Sequence, residues 1–365
     1  MKAKVVLFLL TCFLFTGCGS QMDTVTGEVV YNSQELSVEA ESEGLTESSE
    51  EAANEATNDA PNDATDETTK EAADANPVED YEKENMIMNG IEIMETCPVA
   101  VSAKRSDVTY GTLVHQTYFS TTTGLDRGVN ILLPADYDET KEYPTLYFLH
   151  GIFGDEYSLI NDNNNRIPEI LGNLYADGLA KEMIVVFPNM YAASDPELKP
   201  GFTNEAVAPY DNFINDLVND LIPYMEKHYS VLTDRESRAI AGFSMGGRET
   251  LFIGLSRPDL FAYVGAIAPA PGLTPGKDWA MNHPGQLAEG DLTFLGKEFE
   301  PTVFMVCCGD KDSVVGKFPQ SYHNIFDKNN TAHVWYEVPG ADHDSEAIKS
   351  GLNNFVRAIF YGVRA

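Results

Sequence analysis

One serine in the chain sits where a nucleophile is needed. Ser244 lies in Gly242-Phe243-Ser244-Met245-Gly246-Gly247, a G-x-S-x-G sequence that follows the run Arg238-Ala239-Ile240-Ala241. Between a strand and a helix, such a run makes a sharp turn. Its glycines tolerate close backbone contact, and the turn lifts the serine hydroxyl out of the fold. A serine hydroxyl alone is a weak nucleophile, so covalent acyl transfer also needs a base and a group that orients the base. Both should lie beyond the carboxyl ends of strands, where an open α/β sheet gathers its ligands. The chain has seven histidines. His115 and His333 fall at strand starts, His228 and His323 on helices, and His283 in a long loop. His343, in Gly340-Ala341-Asp342-His343-Asp344, follows the strand Val334 to Val338 by a few residues and is the expected base. The orienting carboxylate should come from Gly309-Asp310-Lys311-Asp312-Ser313, after a strand ending near Cys308. Spacing leaves Asp310 and Asp312 both open. The oxyanion of a tetrahedral intermediate needs amide donors, each worth roughly 3 kcal/mol of barrier. The expected donors are the N–H of Met245, directly after the serine, and that of Ile152 in His150-Gly151-Ile152-Phe153-Gly154-Asp155. His150 is expected to hold that loop rather than to move protons.

These groups require a particular scaffold. Short apolar runs alternate with amphipathic stretches, the pattern of a mostly parallel sheet covered by helices on both faces. Strands are expected at Val114 to Ser120, Val129 to Leu133, Thr145 to Leu149, Ile184 to Phe187, Arg238 to Ala241, Tyr263 to Ala268, Thr302 to Cys308 and His333 to Val338. One long helix is expected from Tyr210 to His228, where Phe213, Ile214, Leu217, Leu221 and Ile222 recur at helical spacing. Two more are expected at Met245 to Ser256 and Ser345 to Tyr361. From Pro269 to Pro301 the chain is rich in Gly and Pro and has no period. A segment this long is usually functional or disordered, and here it leaves a strand on the same rim as Ser244. It is expected to wall the substrate site. Trp279 within it is a candidate for stacking on substrate, or else packs the loop down. Phe153 and Asn189 are further substrate-binding candidates.

The chain of 365 residues carries a net charge of -33 and divides into three parts. In residues 1–18, Lys2 and Lys4 precede an apolar stretch, Val5 to Phe15, that is too short to span a bilayer. It ends in Leu14-Phe15-Thr16-Gly17-Cys18, which resembles a bacterial lipoprotein signal. That resemblance implies export, lipidation of Cys18 and anchoring to the membrane. Residues 19–85 are rich in Glu, Asp, Ala, Asn, Thr and Ser and supply over half of the net charge. They cannot bury enough apolar surface to offset ordering entropy, so a disordered tether is expected. Its coil dimension would be about 45 Å, with a maximum reach of about 220 Å. Residues 86–365 are long enough for one large domain. The acidic balance argues against nucleic acid as a partner. Of the five cysteines, Cys97, Cys307 and Cys308 fall in this domain, and their spacing implies neither a disulfide framework nor a zinc site. No metal or organic cofactor is implied.

The ordered motifs resemble a known group. They comprise His150-Gly151-Ile152, Pro188-Asn189, Leu221-Ile222-Pro223-Tyr224 through Tyr229-Ser230-Val231, Asp234-Arg235, Arg238 through Gly247, Phe261-Ala262-Tyr263, Gly309 to Ser313 and Gly340 to Asp344. From Val114 onward the chain resembles the feruloyl esterase and acetylxylan esterase group of carbohydrate esterases, particularly the feruloyl esterase modules of clostridial xylanases. The resemblance implies an α/β-hydrolase fold and a serine esterase acting on feruloyl or acetyl esters of plant cell-wall polysaccharide such as xylan, or on small aryl esters. It selects Asp312 as the acid, since the group's Asp precedes Ser in a G-x-x-D-S pattern. Arg248 departs from the small residue expected after the double glycine, and the segment 269–301 also departs from the group's pattern. Siderophore esterases and acyltransferases share the broader pattern and remain alternatives. More remote is a non-catalytic surface binding protein on the same scaffold.

Overall fold

The computed structural model describes residues 90–360. The leader, Cys18 and the tether lie outside the described residues, as does Tyr361. Within them, the runs Thr145–Leu149 (β3), Ile184–Pro188 (β4) and Tyr263–Ile267 (β6) are buried at every position. Only a strand covered on both faces needs such continuous apolarity. Their neighbours confirm it: β4, β3, Arg238–Phe243 (β5), β6, Val303–Gly309 (β9) and Val334–Val338 (β10) lie side by side and all run parallel. The antiparallel pair Thr112–Ser120 (β1) and Leu125–Leu133 (β2) joins the β4 edge and completes an eight-stranded sheet.

The period of two along β3 sorts the core into two layers. Leu146 and Phe148 face a layer containing Ile170 and Leu174 of helix α1 (Ile167–Ala176) and Phe355 and Val356 near the carboxyl end. Tyr147 and Leu149 face the other layer, which holds Leu217, Leu221, Leu251, Ile253, Tyr322 and Phe326. The expected architecture, a mostly parallel sheet between two helical layers, is the one observed.

The long helix expected from Tyr210 to His228 is in fact broken. Helix α2 (Asn204–Asp211) starts earlier, with Thr203 Oγ1 accepting the Ala206 N–H at 3.2 Å as its cap. It is followed by α3 (Phe213–Asp216), a wide π-type turn (Leu217–Leu221) and α4 (Ile222–His228). Pro223 explains the widening. It has no N–H, and its ring would strike the carbonyl four residues back in a regular helix. The turn has a use. Asp216 at its edge is fully buried and accepts from Tyr118 Oη at 2.6 Å and Arg127 Nε at 3.1 Å. Asp220 accepts from the amides and hydroxyls of Thr121 and Thr122. The β1–β2 hairpin is thereby pinned to the helical layer.

Segment 269–301 is more ordered than its composition suggests. It contains a short ribbon, Gly276–Lys277 (β7) paired with Asn282–His283 (β8), and two 3-10 turns at Glu289–Asp291 and Lys297–Phe299. The remaining helices are α5 (Met245–Ser256), α6 (Phe318–Lys328) and α7 (Ser345–Ala358).

Candidate active site

Ser244 stands between β5 and α5 with φ 58° and ψ -117°, a left-handed conformation that costs a non-glycine residue about 1–3 kcal/mol. The surroundings enforce it. The Ser244 N–H donates to Ile267 O at 3.0 Å, and its carbonyl accepts from Arg248 N at 3.0 Å and Ala270 N at 2.9 Å. Two glycines make the turn possible by close approach. A Cβ on Gly246 would lie 2.2 Å from Leu149 O, and one on Gly242 would lie 2.3 Å from Gly246 O. The end of β3 therefore presses against the start of α5.

That contact also delivers the loop expected to carry the second oxyanion donor. A Cβ on Gly151 would sit 3.4 Å from Ser244 Cβ. The Met245 N–H, at the first position of α5, has no acceptor within its helix. No hydrogen bond to the Ile152 N–H is found among the described residues. Beyond Ile152, the Phe153 N–H donates to Tyr210 Oη at 3.0 Å and fixes the loop. His150 holds the other side. Its Nε2 accepts from Met190 N at 3.0 Å, so Nδ1 carries the proton and donates to Gly151 O at 2.7 Å. Burial drives its pKa down to about 4. It is neutral and fully engaged, as expected of a brace.

The structure brings His343 and Asp312 together from separate loops. Nδ1 of His343 lies 2.8 Å from Asp312 Oδ2. The other Asp312 oxygen accepts from the amides of Val314 and Val315 at 3.0 and 2.9 Å, which fixes the carboxylate. Asp310 is used differently. Its Oδ1 accepts from Gly340 N at 2.7 Å and ties the β9 loop to the β10 loop. Asp342 adds a second tie, accepting from Ser313 N at 2.7 Å and His343 N at 2.8 Å. Hydrogen bonds from the Ser313 amide hold its carboxyl below the usual range. The His343 ring packs at a tilt against Phe243, the residue before Ser244, with centroids 4.4 Å apart. Spacing alone did not separate the two carboxylates; hydrogen bonding does.

The three substrate-binding candidates diverge. Phe153 and Trp279 are exposed, and both pack on a third exposed ring, Phe202, with centroid separations of 5.3 Å each. The strip Phe153–Phe202–Trp279 draws on three loops. Phe202 was missed by the sequence reading. Its signal was an aromatic residue in the Pro- and Gly-containing loop after β4, at the same rim as Ser244. Trp279 does not pack its own loop down; it stands at the ribbon tip and also borders a groove formed with Val314, Val315 and Phe318. Asn189 is different: its Oδ1 accepts from Tyr191 N at 3.0 Å, a local turn contact.

Arg248, the departure noted in the sequence, is fully buried beneath the site rather than lining it. It pairs with Glu249 at 2.6 Å and with Asp211, and Gln286 Nε2 lies 3.0 Å from both acids. Burial pushes the Glu249 carboxyl up. The cluster ties α5 and the end of α2 to the wall segment. No helix among the described residues is long and apolar enough to cross a membrane.

A serine elbow, a glycine loop packed beside it and a histidine–carboxylate pair at one rim of this sheet define an α/β-hydrolase. Comparison with known proteins agrees. Residues 120–306 match the family described as putative esterase. A CE1 ferulic acid esterase from Anaeromyces mucronatus, solved in complex with ferulic acid, is 46% identical, covers 74% of this chain and 98% of its own, and superposes with a TM-score of 0.71. An endo-1,4-beta-xylanase/feruloyl esterase from Xylanibacter ruminicola is 34% identical over 171 residues, 46% of this chain and 23% of that protein. Endo-1,4-beta-xylanase Y from Acetivibrio thermocellus is 25% identical over 259 residues, 64% of this chain and 22% of that protein. The chain thus spans less than a quarter of the length of these two curated relatives. The chain belongs to the esterase family, and it is a carboxylic ester hydrolase.

The neutral His150 makes stability depend on pH. Its folded pKa, about 4, lies below the usual 6.5 or so, so the unfolded chain takes up the proton first. The associated stability is present above about pH 6.5 and declines as pH falls toward 4, by on the order of 3 kcal/mol. Urea unfolding of the wild type and of His150→Gln across this range should show the steeper acid loss in the wild type. Parallel curves would contradict the assignment.

Proposed function

We propose that this chain hydrolyses feruloyl and related aryl esters of plant cell-wall polysaccharide through an acyl-enzyme on Ser244. The observation that carries the reading is the aromatic strip Phe153–Phe202–Trp279 at the rim that also bears Ser244, His343 and Asp312. The 46% identity to an esterase seen with ferulic acid supports it. An aryl acyl group matches this strip in chemistry, since flat rings stack on exposed rings.

The residues then have defined tasks. Asp312 accepts the Nδ1–H of His343 at 2.8 Å, which leaves Nε2 bare to receive the Ser244 proton. Oγ attacks the ester carbonyl, and the resulting oxyanion is met by the amides of Met245 and Ile152. Collapse breaks the bond to the sugar oxygen, and His343 delivers its proton to that leaving alcohol. Water, deprotonated by the same imidazole, then releases the acid from Ser244. The acetyl variant of this reaction makes less use of the strip, so the aromatic acyl group is preferred. Lys2, Lys4, the apolar leader and Cys18 support export and a lipid anchor that holds the enzyme at the bacterial surface.

Ser244→Ala should lower kcat on methyl ferulate by roughly 10⁴- to 10⁶-fold, and near-normal turnover would end the proposal. Asp312→Asn should cost far more activity than Asp310→Asn, whose loss should appear mainly in stability; the reverse order would exchange their roles. Trp279→Ala should raise KM for methyl ferulate about tenfold while leaving an acetyl ester nearly unaffected. Equal effects on both esters would remove the strip from acyl recognition. When the full chain is expressed in a bacterium, Cys18→Ser should move the protein from the membrane fraction to the soluble one, and unchanged partition would refute the anchor.

A further inference from the structure

A second group of chemically able side chains lies away from the ester site. His323 and Asp327 sit one turn apart on α6, and His333 immediately precedes the edge strand β10. One ligand-capable atom from each lies within 4.8 Å of the others. His323 Nδ1 and His333 Nε2 face each other at 2.8 Å. The strand β10 separates His333 from the rim that carries His343, so the group is not part of the esterase machinery.

We propose that His323 and His333, supported by Asp327, form a zinc site that clips α6 to the start of β10. The outer nitrogens carry the argument. A histidine that ligates a metal through one nitrogen nearly always donates the other N–H to a carbonyl or carboxylate. His333 is built this way, and His323 has a carboxylate within ion-pair distance of its outer nitrogen. His333 Nδ1 lies 2.8 Å from Thr331 O, and His323 Nε2 lies 3.4 Å from Asp327 Oδ2. With the outer nitrogens occupied, His333 Nε2 and His323 Nδ1 are left 2.8 Å apart. The rings are also held in place. Trp335 stacks on His323 with centroids 5.2 Å apart and planes 8° apart. Thr331 is buried, with its hydroxyl on Leu292 O at 2.8 Å, so the carbonyl that orients His333 is fixed.

The donor set selects the ion. Two imidazoles suit a borderline cation such as zinc and suit magnesium or calcium poorly. Nitrogens on one tetrahedral zinc stand about 3.3 Å apart, given Zn–N bonds of roughly 2.0–2.1 Å. The present pair need open by only about half an ångström. Binding exchanges two aqua ligands of the ion for the two nitrogens, and any proton lying between them leaves to solvent. The half-exposed His323 and exposed Asp327 leave the remaining coordination positions open to water.

The test uses the full chain, tag-free, titrated with zinc chloride in a calorimeter and followed by thermal unfolding. The wild type should bind one zinc, and Tm should rise by about 5 °C at zinc 100-fold above Kd. The double variant His323→Gln/His333→Gln should bind at least tenfold more weakly and lose the Tm rise, with methyl ferulate turnover retained as the check on folding. Asp327→Asn should weaken binding roughly tenfold. Magnesium chloride should give no shift. Equal zinc binding by wild type and double variant would place the ion elsewhere, for instance on the acidic amino-terminal segment. No binding by the wild type would mean that the two rings share a proton only. Either result overturns the site.

Discussion

The chemistry at the rim rests on how closely two pieces of backbone approach. The carbonyls of Leu149 and His150 lie so near Gly246 that no side chain could intervene. This contact sets the first turn of α5 on the carboxyl end of β3. Ser244 is therefore held in its left-handed conformation, and the loop carrying Ile152 arrives beside it. The amide expected to face the oxyanion at Met245 is a consequence of the same contact, because it belongs to the first residue of that helix. A larger residue at position 246 would separate nucleophile and loop together.

Around this contact, most of the polar residues hold rather than react. His150 spans the loops after β3 and β4, while Asp310 and Asp342 join the loops after β9 and β10. Asp312 is set apart from them by having one oxygen committed to backbone amides and the other to an imidazole. Arg248 shows the same economy below the surface. A buried guanidinium with two acids and an amide is a weak source of net stability, because desolvating the charges offsets their attraction. What it does supply is a fixed relation between α5, α2 and the wall segment.

Much of this was legible in the sequence because it rests on local rules. The runs of β3, β4 and β6 are almost wholly apolar, with Thr145 the polar exception, so their burial on both faces could be read directly. Ser244, Gly246 and His343 were marked by turn chemistry and by position after strands. The distinction between Asp310 and Asp312 was not, since it depends on which backbone amides a folded loop presents. The break in the helix 204–228 was signalled by Pro223, but the apolar period continued across it because a wide turn keeps Leu217 and Leu221 inward. Phe202 was missed for another reason. Its partners Phe153 and Trp279 lie far away in the chain, and an exposed ring gains meaning only from the rings beside it.

Phe153 adjoins Ile152, and that adjacency links two jobs usually described apart. The ring belongs to the exposed strip, the next amide back is the expected oxyanion donor, and Tyr210 clamps the peptide between them. Ring and expected donor thus sit on either side of one clamped peptide. If the proposed roles hold, a substitution that moves this peptide alters affinity and turnover together, and divergence toward a new acyl group has to reconcile the two.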